Sequence, residues 1–197
     1  MVRDLQHNVR LANADLTGVN LSGVNLQGLD LNHTILCQAD LTGTQLSKAN
    51  LRGANLSQAI LNWASLDYAI LQDADLCDAQ LNKANLDRAI LVGANLSDAQ
   101  LCGTNLSKGD LERVNLSRAN LSQANLSWTN LNSANLSGTN LNWANLSWAD
   151  LDSTNLEEAY TRMTNITGVR LPLGIFLVRK HFRRSSTITE GQTAKTV

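Results

Sequence analysis

Leucine stands at Leu11, Leu16, Leu21, Leu26 and every fifth position through Leu156, thirty consecutive units without an insertion. Two residues before each leucine sits a small residue, usually alanine, as at Ala49, Ala54, Ala59, Ala64 and Ala69. Thr104, Val114 and Thr139 vary this position, and Leu29 is its one large exception. Between the small residue and the leucine lies mostly Asn or Asp, as at Asn50, Asn55, Asp75 and Asn95. The two residues after leucine are polar or glycine, as in Ser57-Gln58 and Arg52-Gly53. A period of five suits neither regular element. On an α-helix five residues advance the face by about 140°, so the leucines would spiral around every side. On a long strand an odd period would send successive leucines to alternate faces.

Each pentapeptide is therefore its own unit. Small-polar-Leu is a local period of two, which puts Ala and Leu on one face and Asn on the other. The next two residues turn the chain, and Gly18, Gly23, Gly28 and Gly43 suit a bend with positive φ. Short extended piece and corner, repeated, make a coil around a Leu/Ala interior. On this reading Asn95→Ala costs little, whereas Leu96→Ala costs about 2–5 kcal/mol through a cavity.

The units resemble the pentapeptide-repeat family, whose pattern is Ala-(Asn/Asp)-Leu followed by two variable positions. The resemblance spans Val9 to Ala159, and a degraded form continues through Thr164-Asn165-Ile166. It implies an all-β fold of the bacterial type: a right-handed quadrilateral β-helix with four pentapeptides per coil. About seven and a half coils at a strand spacing of ~4.8 Å would give a rod about 36 Å long.

The expected organisation is an N-terminal cap over 1–8, the β-helix over 9–170, a capping or dimerisation segment over 171–184 and a disordered tail over 185–197. Ile175, Val178 and Phe182 recur at helical spacing after Pro172, followed by Arg179, Lys180, Arg183 and Arg184. A short helix there would cover the last coil, which otherwise exposes the end of the core. The same segment is the expected route to a homodimer. A weaker reading lays it on a membrane surface; its apolar stretch is too short to span a bilayer.

Composition narrows the function. Aromatics are 4% of the chain and the formal net charge is −1, so overall charge points to no direct nucleic-acid or membrane contact. Cys37, Cys77 and Cys102 have no metal spacing, and no signal peptide is read at the start, so a cytoplasmic setting is expected. His7, His33 and His181 are scattered, and serine is a repeat filler. No enzyme, cofactor, metal or small-molecule substrate is expected.

With twenty residues per coil, each outward residue can be assigned a face. Trp63, Trp128, Trp143, Trp148 and Tyr68 all occupy the second position after leucine and flank one edge of the rod. Trp128 and Trp148, one coil apart, should stack. This edge is the candidate site for a protein partner, because exposed tryptophan beside cations such as Lys48, Arg88 and Lys108 is typical of interface hot spots. Stacking that merely stiffens the coils is the plainer and preferred reading of the same rings. Acidic residues gather on two opposite faces. Some members of the family resemble DNA and protect bacterial type II topoisomerases, so a DNA mimic is the second functional class. A 36 Å duplex would carry about twenty charges, well above the excess of acids here.

Overall fold

The computed structural model describes residues 11–171. Every bridge in it is parallel and joins residues twenty apart, as in Asn55↔Asp75, Asp75↔Asn95 and Asn95↔Asn115. That register fixes four pentapeptides per coil and a four-walled cross-section of about eight coils. Wall A carries the Asp75–Asn95–Asn115 column, wall B Gln80–Gln100–Asn120, wall C Asn85–Asn105–Asn125 and wall D Ile90–Asp110–Asn130.

The unit 94–98 shows why the chain folds this way. The Ala94 N–H donates to Leu91 O at 2.9 Å and closes the preceding turn. Asn95 N–H reaches back one coil to Ala74 O at 2.9 Å, and Leu96 N–H reaches forward to Asn115 O at 2.7 Å. Asp98 N–H, in the corner, also reaches forward, to Ser117 O at 3.0 Å. The one remaining donor, Ser97 N–H, is taken by Asn95 Oδ1 at 3.2 Å. All five backbone donors are thus satisfied within five residues, with a single bridged residue per wall. This differs from the expected extended pieces: among the described residues the walls are built of isolated bridges joined by turns, not of longer strands.

Leucines from Leu26 through Leu151 are buried, and the alanines from Ala39 through Ala149 line the same interior. Val114 is buried among them, whereas Leu29 is only half-buried and packs against this core. Threonine in the alanine slot adds an internal bond: buried Thr104 Oγ1 donates to Leu81 O at 2.7 Å. No buried side-chain polar atom among the described residues lacks a partner.

Four hydrogen bonds of Asn95 argue against the expectation that Asn95→Ala costs little. Asn95 Oδ1 accepts Ser97 N–H and Ser97 Oγ–H, and also Asn115 Nδ2 at 3.0 Å; Asn95 Nδ2 donates to Asp75 Oδ1 at 3.0 Å. The outward column is a hydrogen-bonded amide ladder. Where Gln80 or Gln100 occupies the slot, an Asn one coil earlier substitutes: Asn62 Oδ1 accepts Asn82 N–H and Asn82 Oδ1 accepts Cys102 N–H.

The described residues contain no helix. The capping helix and dimer contact expected over 171–184 lie outside them except for Leu171, as do the expected cap over 1–8 and the tail over 185–197. No helix of the described residues is long and apolar enough to cross a membrane.

Candidate functional site

The second residue after each leucine is the corner of the coil. Every such residue described has positive φ, glycine or not: Trp63 58°, Tyr68 59°, Trp128 63°, Trp143 64° and Trp148 62°. A turn closed by the Ala N–H onto the Leu carbonyl, with positive φ at its third residue, has type II character and favours glycine there. Holding a tryptophan in this conformation costs about 1–2 kcal/mol. Inter-coil bonds offset it, as Trp128 N–H donates to Ser147 O at 2.9 Å and Trp148 N–H to Thr167 O at 2.8 Å.

Corners stack into four ridges, and side chains on a ridge reach the corner of the next coil. A Cβ added at Gly168 would meet the Trp148 ring at 2.5 Å, and one at Gly53 would meet the His33 ring at 2.5 Å. Trp128 lies on Trp148 with ring centroids 5.3 Å apart and planes 13° from parallel, so the expected stack is present. Trp148 in turn rests on Gly168. The column stays open to solvent at its edges: Trp128 is 58% exposed and Trp148 52%.

Tyr68, Trp128 and Trp148 sit on the ridge between walls C and D, and Trp63 and Trp143 on the ridge between walls B and C. The aromatic edge is therefore wall C with both its borders. Trp63 and Trp143 are 60% and 58% exposed, and they stand four coils apart on their ridge. The structure thus brings Trp128 and Trp148 into contact and leaves Trp63 separate from that stack. Sequence reasoning passed over Tyr160, which stands in the Asn slot of wall B, and Met163, which follows Trp143 on its ridge. Both are exposed, and a residue of the wrong type in each slot was the available signal.

The charges are sorted by ridge. Lys48, Arg88 and Lys108 share the Tyr68 ridge, and Lys83 shares the Trp63 ridge. Neither ridge carries an acid at the corner position, whereas the other two carry Asp73, Asp78, Asp98 and Glu158. The Arg88 guanidinium lies 5.5 Å from the Tyr68 ring centre, a cation–π distance. Asp67, just below these ridges, is pushed up by burial. Hydrogen bonds from Ser47 and Ser65 outweigh that and hold its carboxyl below the usual range, helped by Lys48. Asp87 accepts Ser107 Oγ–H at 2.7 Å and pairs with Arg88 at 3.6 Å.

On the acidic side, the Arg118 fork grips Asp98 through Nε at 2.8 Å and Nη2, which lowers the Asp98 carboxyl. Arg170 pairs with Asp150 and Asp152 at 3.0 and 3.3 Å. The ligating atoms of Cys77, Asp78 and Asp98 lie within 4.8 Å of one another, but the cation serving Asp98 is Arg118. Ser97 Oγ–H bonded to Cys77 Sγ favours the thiolate; burial and the nearby Asp78 and Asp75 outweigh it and push the thiol up. Cys37, Cys77 and Cys102 are free and half-buried.

The family model described as "Pentapeptide repeats" matches in eight copies, over residues 7–43, 44–82, 69–107, 79–118, 110–147 and 119–157. Among solved structures, the chain is similar to HetL, a pentapeptide repeat protein involved in heterocyst differentiation regulation from the cyanobacterium Nostoc sp. strain PCC 7120. Identity is 33% over 79% of this chain and 86% of that one, with a TM-score of 0.32. It is also similar to a pentapeptide repeat protein from the Arabidopsis thaliana thylakoid lumen, at 30% identity over 53% of this chain and 69% of that one, TM-score 0.40. QnrB1, a plasmid-mediated fluoroquinolone resistance protein, aligns at 21% identity over 82% of this chain and 88% of that one, TM-score 0.45. No curated protein matches.

Proposed function

This chain belongs to the pentapeptide-repeat family, and from that membership we propose that it is a non-enzymatic scaffold that binds a protein partner along wall C and its two aromatic ridges. The family implies the right-handed quadrilateral β-helix as its fold. The observation that supports the binding reading is the exposure of four tryptophans, 52–60% each, on ridges whose corners are fixed by inter-coil hydrogen bonds. Large rings held rigidly at low entropic cost are what interface anchors require. The proposal includes a cytoplasmic setting, in keeping with three free cysteines. A homodimer through 171–184 also belongs to it, as does the weaker membrane-surface role of that segment. The intact protein and the variant with Trp63, Trp128, Trp143 and Trp148 all replaced by Ala are compared in pull-down, with thermal unfolding of both. Capture lost by a folded variant supports the reading; capture unchanged refutes it.

A second reading, a DNA mimic acting on a type II topoisomerase, is favoured by the acidic corners Asp73, Asp78, Asp98 and Glu158. Arg118 and Arg170 neutralise part of that charge. A gyrase supercoiling assay at low salt separates the two readings, because no inhibition or protection at micromolar protein removes the mimic.

A further inference from the structure

We propose that wall C and its two ridges hold an extended acidic segment of the partner, lying along the rod axis with its carboxylates toward the lysines and its apolar side chains against the tryptophans. This rests on the reading of the chain as a protein-binding scaffold.

The first support is charge. All three lysines among the described residues, Lys48, Lys83 and Lys108, are exposed and stand on the ridges that border wall C. None makes an ion pair within 4 Å among the described residues, unlike Arg88, Arg113, Arg118 and Arg170. Arg162, also without an ion pair among the described residues, borders wall C as well, and Arg52 is the one such cation that stands elsewhere, on the ridge between walls D and A. The acids nearest them, Asp67 and Asp87, are already engaged by serines and by Arg88.

The second support is the floor between the ridges. Asn105, Asn125, Asn145 and Asn165 each donate one Nδ2 hydrogen to the Oδ1 of the Asn one coil earlier. A carboxamide nitrogen has two hydrogens, so each keeps one for a ligand acceptor. The floor is then a row of donors at about 4.8 Å intervals, of the kind that backbone carbonyls and carboxylates accept from. Lys48 and Trp148 are five coils apart in this register, about 24 Å, the length of roughly seven extended residues.

At the Trp128–Trp148 stack, ring geometry argues against a single-stranded nucleic acid. Base stacking needs open ring faces. Trp128 and Trp148 each close one face on the other, and Trp148 is backed by Gly168. The chain's own segment after Leu171 carries Arg179, Lys180, Arg183 and Arg184, the same sign as the ridges. A second copy would bring Asp73, Asp78 and Asp98 and is an outcome of the test.

The test selects a displayed library of random dodecapeptides on the full chain, and on two variants. One carries Lys48→Glu, Lys83→Glu and Lys108→Glu; the other carries Trp128→Ala and Trp148→Ala. Each lysine substitution is at an exposed corner and exchanges one long unbranched side chain for another. The expected peptides are rich in Asp and Glu with interspersed large apolar residues. Synthetic copies should bind the lysine variant about tenfold or more weakly and lose affinity as salt rises. Peptides that depend on the tryptophans but are neutral or basic overturn this inference and leave the scaffold reading standing. Enrichment indifferent to both variants, or none at all, overturns both. Binding of a labelled oligothymidylate that the lysine variant abolishes assigns the wall to nucleic acid instead. Concentration-dependent dimers in light scattering that the lysine variant dissolves assign it to a second copy.

Discussion

Replacing Asn95 by alanine removes no buried hydrocarbon yet should destabilise the rod by about 2–3 kcal/mol. The side chain makes four hydrogen bonds: it accepts from Ser97 N–H at 3.2 Å, Ser97 Oγ–H at 2.9 Å and Asn115 Nδ2 at 3.0 Å, and donates to Asp75 Oδ1 at 3.0 Å. Asp75 and Asn115 are half-buried, so water recovers much of their loss, and those two bonds are worth about 0.5 kcal/mol each. Ser97 is different. It is only 9% exposed, and its N–H has no other acceptor, so leaving it unsatisfied costs about 1–2 kcal/mol. Gln45→Ala is the control: it occupies the same slot on wall C, is exposed, and makes no side-chain hydrogen bond among the described residues, so it should stay within about 0.5 kcal/mol. Urea unfolding followed by far-ultraviolet circular dichroism gives both midpoints, compared at constant m. Leu96→Ala, which empties a site 1% exposed, sets the upper reference at about 2–5 kcal/mol. If Asn95→Ala shifts the midpoint no more than Gln45→Ala, the ladder contributes nothing and the backbone role given to Asn95 is wrong.

Gly168→Ala should be more destabilising than Gly18→Ala although both have φ of 67°, because the new Cβ strikes the Trp148 ring at 2.5 Å in one case and open space in the other; near-ultraviolet dichroism should change only for Gly168→Ala. Trp128→Ala should remove the stacked-ring signal and cost about 0.5–1.5 kcal/mol, with urea midpoints as the check. Asp67 titrates below its unfolded value, so its contribution is present above about pH 4 and fades as pH falls through the lowered folded pKa. Ser47→Ala should move the Asp67 titration upward by NMR; an unmoved titration would show that the Ser47 bond is not what lowers it.

The inward column was legible because the unit is one local period: Leu at the same place in every pentapeptide can only be buried if the chain coils around it. Burial of Leu26 through Leu151 follows from that alone. The turn after each leucine was legible, but its positive φ only where glycine marked it. Positive φ at Trp148, Asp98 or Lys48 leaves no compositional trace, because inter-coil bonds rather than residue type hold it there. The edge that gathers every tryptophan was visible once twenty residues were taken per coil, yet that number came from the family resemblance, and the bridges of the fold establish it. The amide ladder was not visible, and Asn95 was taken as dispensable. Its bonds to Asp75 and Asn115 exist only through the register between coils, and a bond's strength cannot be seen until the fold brings its partner across. The same holds for the setting of each ridge residue: the sequence by itself set Trp128 and Trp148 one coil apart, but only the tertiary structure decided how close and how parallel their rings lie and that Trp148 is backed by Gly168.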